Sequence, residues 1–490
     1  MGQYRAVLCV QKTRCRLNLV LAVVLFSAAA ALRAAAPLRP NVLVILTDDM
    51  RWDSMSCAGH PFFKTPHLDR MAAEGARFAN MFVTTSLCSP SRASVLSGRY
   101  ARSHGVLNNF TEYPNDLPSY PRRLKEIGYE TAYIGKYHMG ETNDAPRPGF
   151  DHWFSHRGQG NYFDNEFNVD GVTRRMPGYY TTVITEHALD WLEQPHPKPF
   201  LLILGHKAPH GGPIVPEPRF EHALDAIPIP KPVNYEDYLG PGKPAWLKES
   251  FPTWHGAGGP LYGLKEYDRF VRAYLATLLS VDESVGRICE ALRQSGRLDN
   301  TLILFTSDNG FVLGEHGRVD KRTMYEASLR VPLLVRYPPL VSPGTVVSNM
   351  VLSLDLAPSI LDICGAKTLP GIAGRSWKPL LAGKTSGWRK SFLYEYNFEP
   401  QFPYTPNVRG VRTDDWKLIH YPNGDGKPDR FTAELYDLKN DPHEMRNLIA
   451  DPGYAAKRAE LERELARVSK AAGPEKMPVY EGITNVLPKY

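Results

Sequence analysis

Pro40-Asn41-Val42-Leu43-Val44-Ile45-Leu46-Thr47-Asp48-Asp49 is the stretch on which the fold turns. Its five central residues are all apolar. A strand with one wet face would alternate, so this run predicts a central strand covered on both faces. Working outward, strand-like runs at 131–134, 200–204, 301–306 and 331–336 alternate with helical patterns at 66–74, 120–127, 181–192, 267–293 and 354–363. That alternation predicts an α/β fold with a mostly parallel central sheet flanked by helices. After Gly374 the texture changes. Short strands are expected at 391–396, 408–412, 416–421 and 433–437, joined by tight turns such as Thr413-Asp414-Asp415, with a closing helix over 455–472. These predict a smaller C-terminal antiparallel α+β subdomain. The expected division is a signal peptide over 1–36, a main domain over 37–375 and the subdomain over 376–490.

Charge excludes one class of partner. The net charge is +6, but residues 1–36 carry Arg5, Lys12, Arg14, Arg16, Arg33 and no acid, which leaves +1 for the rest. No nucleic-acid partner is expected from so balanced a chain. The basic residues Arg5 to Arg16 precede an apolar run over 17–32, and Ala34-Ala35-Ala36 then offers small side chains for cleavage. This pattern predicts a cleaved signal peptide and an exported protein. The apolar run is shorter than the ~20 residues of a membrane span, so no stable membrane insertion is expected. Cys9 and Cys15 would leave with the signal. Cys57, Cys88, Cys289 and Cys364 are too sparse for a disulfide framework and lack zinc-site spacing; Cys289 and Cys364 are expected to be buried and inert. Residues 211–265 are rich in Pro, Gly, Tyr and Trp without a clear period. They read as either the wall of a binding cleft or a surface insertion.

Two apolar strands end in acidic tips: Thr47-Asp48-Asp49, and Thr306-Ser307-Asp308-Asn309-Gly310. Ligands of open α/β sheets bind beyond the carboxyl ends of the strands. Adjacent carboxylates there repel each other unless a positive charge lies between them. Asp48, Asp49, Asp308 and Asn309 all offer oxygen, which suits a hard cation, Ca²⁺ or Mg²⁺, better than zinc. Helix capping is the other role open to such residues; two such tips favour the metal. A third element is Cys88-Ser89-Pro90-Ser91-Arg92-Ala93-Ser94-Val95-Leu96-Ser97-Gly98-Arg99. Pro90 fits the first turn of a helix and Gly98 its end. Cys88 is thus predicted at a helix N-terminus, with Arg92 one turn along, where the free N–H groups favour an anion. On these residues alone Cys88 is either a low-pKa thiolate or anion site, or a buried cysteine at a helix start.

Cys88-x-Pro90-x-Arg92 with the run from Ala93 to Arg99 resembles the sulfatase signature, in which the cysteine is converted to formylglycine (3-oxoalanine). Val95 and Ser97 stand where that family more often has Leu and Thr. Further features follow in the same order: Pro40-Asn41 to Asp48-Asp49, Gly135-Lys136-Tyr137-His138, His206-Lys207-Ala208-Pro209-His210, Asp308-Asn309-Gly310 and Lys321. The resemblance spans about residues 38–450. It implies an alkaline-phosphatase-like fold, with 37–375 as the catalytic domain. It also implies one Ca²⁺ per chain, held by Asp48, Asp49, Asp308 and Asn309 with the modified Cys88 side chain as a further oxygen ligand. By the same resemblance Arg92 stabilises the hydrated aldehyde and His138 hydrogen-bonds to it. Lys136, His210 and Lys321 would contact the sulfate and the leaving oxygen.

The reaction so implied is hydrolysis of a sulfate monoester. Cations are needed because both the ester and its nucleophile are anionic. One hydroxyl of the hydrated aldehyde attacks sulfur and gives a covalent sulfo-enzyme; the other, deprotonated by His138, collapses to the aldehyde and ejects sulfate. His210 or Lys321 is the expected acid for the leaving group. The stretches 158–164 and 105–109 are similar to those of carbohydrate sulfatases, including N-acetylglucosamine-6-sulfatases. That similarity implies a sulfated carbohydrate of glycosaminoglycan type, with Tyr162, Phe163 and Trp254 as candidates to stack on sugar faces. A formylglycine-generating maturation enzyme is the implied partner. The implied location is periplasmic or extracellular, or lysosomal in a eukaryote. The alternatives are an arylsulfatase, a formylglycine-dependent phosphonate or phosphate ester hydrolase on the same fold, and a non-catalytic binder of sulfated glycan with Cys88 unmodified. His104 is expected to line the cleft or hold a turn, and His316 to brace the loop of Lys321. Asn109-Phe110-Thr111 reads as a glycosylation sequon.

Overall fold

Asn41–Thr47 is buried along its whole length, in the interior of a ten-stranded sheet. The structure is a computed structural model and describes residues 39–422 and 432–478. The expected signal peptide, with Cys9 and Cys15, lies outside the described residues, as do 423–431 and 479–490 of the expected subdomain. Phe200–Gly205 and Thr301–Ser307 pair with Asn41–Thr47 in parallel on its two sides. Glu130–Gly135 and His152–Ser155 extend the parallel run beyond Phe200–Gly205. Both flanks then turn antiparallel, through Leu333–Arg336 on one side and Glu166–Val169 with Val172–Arg175 on the other.

The continuous apolar run follows from this position. Val42 and Val44 point into one core with Leu96, Leu124 and Ile360, while Leu43 and Ile45 point into another with Ile184, Leu278 and Val285. Successive side chains of a strand alternate sides, so a strand covered twice needs no polar residue in its middle. One face is covered by Pro66–Ala73, Tyr180–Glu193 and the long helix Tyr267–Gln294. The other is covered by Cys88–Ser97, Tyr120–Glu126 and Leu356–Ile363.

One expected strand divides. The run 331–336 becomes Arg330–Val331, paired with Met81–Phe82 in a small three-stranded sheet, and Leu333–Arg336 in the large sheet. Pro332 lies between them and has no N–H to offer a ladder. Short strands such as Ala76–Phe78, Glu166–Val169 and Thr345–Val347 were not legible, because three or four residues carry no periodic signal.

Ser391–Tyr396, Val408–Thr413, Trp416–His420 and Glu434–Asp437 form a four-stranded antiparallel sheet. Its own core joins Leu393, Val411, Leu418 and Leu435 to Leu461 and Val468 of the helix Ala455–Ala472. Backbone and charge bind this unit to the larger one: Glu395 N donates to Thr84 O at 3.0 Å, and Arg102 Nε to Glu395 Oε2 at 2.8 Å. The segment 211–265 carries only short helical turns and the six-residue helix Ala245–Ser250. No helix of the described residues is long and apolar enough to cross a membrane.

Candidate active site

Sheet register brings the two acidic tips together. Thr47 is level with Ser307, Asp308 N donates to Thr47 O at 3.1 Å, and Asp49 N donates to Asp308 Oδ1 at 3.2 Å. Carboxylate oxygens of Asp48, Asp49 and Asp308 lie within 4.8 Å of one another, and all three side chains are buried. Asp49 adopts a left-handed backbone, φ 69°, as do His138 (φ 47°) and Arg322 (φ 74°) beside the same cleft. Such conformations cost free energy in non-glycine residues and persist where the surroundings impose them.

Cys88 is the first residue of the helix Cys88–Ser97, which is buried on all sides. The helix ends at Gly98, φ 67°, where a Cβ would lie 2.5 Å from Ile372. Its start is held by Asn109, whose Oδ1 accepts from Ser89 N at 3.0 Å. Cys88 Sγ stands 3.4 Å from Asp48 Oδ1 and 3.0 Å from Lys321 Nζ. Lys321 also donates to Asp49 Oδ1 at 2.5 Å. Lys136 donates to Asp48 Oδ2 and to Gln159 Oε1. Arg92 donates through Nε to Asp308 Oδ2 at 2.8 Å and through Nη1 to Lys136 O at 2.5 Å. Asn309 Nδ2 donates to Asp49 Oδ1 at 2.6 Å, and His210 Nε2 lies 3.9 Å from Asp49 Oδ2. His138 is buried beside this cluster; its Nε2 meets Glu141 Oε1 at 2.9 Å, and its Nδ1 has no hydrogen-bond partner among the described residues. These contacts join nine of the ten residues expected from the sequence; His138 lies near enough to feel the charges of Lys136, Asp48, Arg92 and Lys321, and its backbone oxygen accepts from Ser89 Oγ, next to Cys88.

Of the two readings open for Cys88, the local field favours the buried cysteine at a helix start over the low-pKa thiolate. Burial, and then Asp48, push the Cys88 thiol well up, against Lys321 and Lys136. The unmodified residue is a protonated, buried thiol. Burial alone would raise Asp48, but Lys136, His210, Lys321 and Arg92 together hold it well below the usual carboxylate range. Asp308 is pushed up to about 7 by burial and Asp48, with Arg92 opposing. Three carboxylates so close require cations, here lysine and arginine side chains. The donors also fit a hard divalent ion. They are all oxygen, and Asn309 Oδ1 is a buried atom with no hydrogen-bond partner among the described residues.

A cavity of about 460 Å³ opens onto Lys321 and His210. Gln159 and Asn109 line it, with Trp254, His255 and Tyr262 from or near the 211–265 segment, Asp320 and Arg322 beside Lys321, and Phe402 and Tyr404 from the C-terminal part. Sequence reading missed Asp320, Arg322, Phe402 and Tyr404, which carry no local signal. The segment 211–265 is a cleft wall. Trp254 lines the cavity and is 52% exposed, whereas Tyr162 is buried with its hydroxyl on His210 O at 2.9 Å. Phe163 packs on Tyr179. His104 holds a turn, bonded to Ser94 Oγ at 3.1 Å and to Val106 N at 3.1 Å. His316 stacks on Tyr325 and meets Asp237 Oδ2 at 3.0 Å, bracing the loop. The sequon asparagine Asn109 is buried and occupied by Ser89, which is incompatible with carrying a glycan in the folded chain.

A family model described as Sulfatase matches residues 40–366. The chain belongs to the sulfatase family. A second model, N-sulphoglucosamine sulphohydrolase, C-terminal, matches residues 314–471 of this sulfatase. An N-acetylglucosamine-6-O-sulfatase of Bacteroides thetaiotaomicron is 36% identical, over 88% of this chain and 86% of its own. A solved structure of a protein in complex with its substrate D-glucosamine-2-N,6-O-disulfate is similar at a TM-score of 0.82 and 33% identity, over 89% of this chain and 98% of that one. The phosphonate monoester hydrolase of Agrobacterium radiobacter shares the fold at a TM-score of 0.74 and 23% identity, over 89% and 96% of the two chains. The mostly parallel sheet with its small antiparallel companion is thus the alkaline-phosphatase-like arrangement, and the sulfatase is a sulfuric ester hydrolase.

Proposed function

We propose that this sulfatase removes sulfate from sulfated carbohydrate of glycosaminoglycan type, with N-acetylglucosamine-6-sulfate as the leading substrate. The observation that carries this reading is the two-sided cavity. Lys321 and Arg322 are its cationic side chains, with His210 and His255 beside them, while Trp254, Tyr262, Phe402 and Tyr404 form an aromatic wall. Basic groups suit a sulfate ester, and aromatic faces suit the C–H face of a pyranose. The names of the 36% identical relative and of the substrate in the 33% identical structure point the same way.

Asp48, Asp49, Asp308 and Asn309 would hold one Ca²⁺, which supplies positive charge against the ester and its nucleophile. Cys88, oxidised by a maturation enzyme to formylglycine, would supply paired hydroxyls, one to attack sulfur through a covalent sulfo-enzyme and one to expel sulfate. Arg92 and Lys136 fix the oxygen-rich side of the site, His138 offers Nδ1 to a hydroxyl proton, and His210 or Lys321 protonates the leaving oxygen. The part 376–490 acts as a subdomain that completes the cavity wall, and residues 1–36 direct export.

The test is a screen of mature protein against monosaccharides that differ only in sulfate position, together with the peptide mass at Cys88. The reading expects 6-sulfated N-acetylglucosamine to be fastest and the peptide to be lighter by about 18 Da, the exchange of sulfur for oxygen with loss of two hydrogens. Faster turnover of aryl phosphate or phosphonate esters would replace it with the phosphonate hydrolase reading. An unmodified Cys88 with sugar binding but no turnover would leave a glycan binder.

A further inference from the structure

His138 and Glu141 are three residues apart, yet the chain turns back so that their side chains meet at 2.9 Å. The turn needs left-handed backbone at His138 (φ 47°) and at Gly140 (φ 96°), where a Cβ would strike the Glu112 carboxylate. Glu141's other oxygen lies over Gly158, φ 51°, where a Cβ would approach it to 2.2 Å. Gly158 precedes Gln159, the acceptor of Lys136 and a lining residue of the cavity. One carboxylate oxygen thus meets the ring of His138, and the other packs over the loop beside Gln159, in space that only a glycine at 158 leaves free.

The ring itself is fully buried; Glu141 meets it directly, and the charges of Lys136, Asp48, Arg92 and Lys321 also act on it. Burial, and then Lys136, disfavour the imidazolium. A neutral imidazole is a donor at one nitrogen and an acceptor at the other, and the partner of one decides the role of the other. We propose that Glu141 is a positioning residue that accepts the Nε2 proton of His138 and so leaves the buried, unpartnered Nδ1 as a bare acceptor for the nucleophile's hydroxyl. Only the kinetic part of this inference rests on the sulfatase reading. The tautomer is a property of the folded chain with Cys88 unmodified.

The experiment is nitrogen-15 NMR of the histidine rings in unmodified protein, with the His138 signals assigned by their loss in His138→Gln. The Nε2–H tautomer is expected in the wild type. Glu141→Gln keeps an acceptor oxygen and should retain it. Glu141→Ala should lose it to a mixture, and Gly158→Ala should do the same by displacing the carboxylate while leaving it in the sequence. In mature enzyme Glu141→Ala should lower kcat by about tenfold or more with KM little changed, the scale on which an outer partner of a functional histidine acts, and Glu141→Gln should recover most of it. An Nδ1–H ring in the wild type, persistence of Nε2–H in Glu141→Ala, or a lost tautomer with unchanged kcat each overturns the proposal. Should the protein turn over no sulfate ester at all, the ring-nitrogen result still decides for or against Glu141.

Discussion

Lys321 Nζ stands 3.0 Å from Cys88 Sγ, in an interior where both side chains are buried. The sulfur is enclosed, and its thiol is held protonated by burial and Asp48. Since the thiolate is the reactive form, native unmodified protein treated with iodoacetamide at neutral pH should keep Cys88 unlabelled, while urea-unfolded protein labels fully. For the same reason oxidation of Cys88 should proceed on unfolded chain and fail on folded chain. Rapid labelling of the native protein at Cys88, read by peptide mass, would contradict the enclosed site.

Cys88→Ala should lower turnover of sulfate esters by about 10³-fold or more, the scale of nucleophile deletions. The fold should survive, because the helix is held by Asn109 on Ser89 and by Gly98 on Ser94 rather than by the sulfur. Residual activity above a few per cent would remove Cys88 from the reaction; an unchanged melting temperature would exclude misfolding as the cause.

Asp308→Ala removes one of the proposed metal donors and also strands the buried Arg92, whose Nε lies 2.8 Å from the carboxylate. Breaking a buried pair by deleting one partner costs about 3–5 kcal/mol. Wild-type protein should melt higher with Ca²⁺ and lose that gain with chelator, by about 2.7 kcal/mol at a hundredfold excess over Kd. The variant should melt lower in either buffer and show no Ca²⁺ response. A full response in the variant would move the metal elsewhere.

Trp254→Ala should raise KM for a sulfated sugar by about fivefold, the loss of ~1 kcal/mol of ring contact, and leave kcat intact. Trp254→Phe should keep most of the affinity. Intrinsic fluorescence that ignores added sugar would mean that Trp254 does not touch it.

Burial holds His104 and His206 down to about 3, against an ordinary 6.5. Between those values the unfolded chain takes up protons that the folded chain refuses. Their contribution to stability is thus complete above 6.5 and is lost progressively as pH falls towards 3. Each histidine adds a slope of at most about 1.4 kcal/mol per pH unit. Urea midpoints measured from neutral pH down to mildly acidic pH should fall less steeply in His206→Asn than in the wild type. Parallel curves would show that His206 titrates normally.

The sequence by itself determined the longer elements and their faces. A run without polar residues from Val42 to Leu46 has no wet side, and Pro90 and Gly98 mark the start and end of the helix that carries Cys88. Each of those inferences concerns neighbours in the chain, where backbone periodicity links position to burial. The tertiary structure alone decided adjacency and field. Asp49 and Asp308 are 259 positions apart and meet because two strands pair in parallel at Thr47 and Ser307. Pro332 divided a strand that looked whole, and packing turned the Asn109 sequon into a buried brace for Ser89. The choice left open at Cys88 fell to the protonated, buried thiol, since a group's charge state sums burial and every nearby charge, most of them distant in sequence. The aromatic wall joined Trp254 to Phe402 for the same reason: strand order and loop packing, not local pattern, choose which distant residues share a cavity.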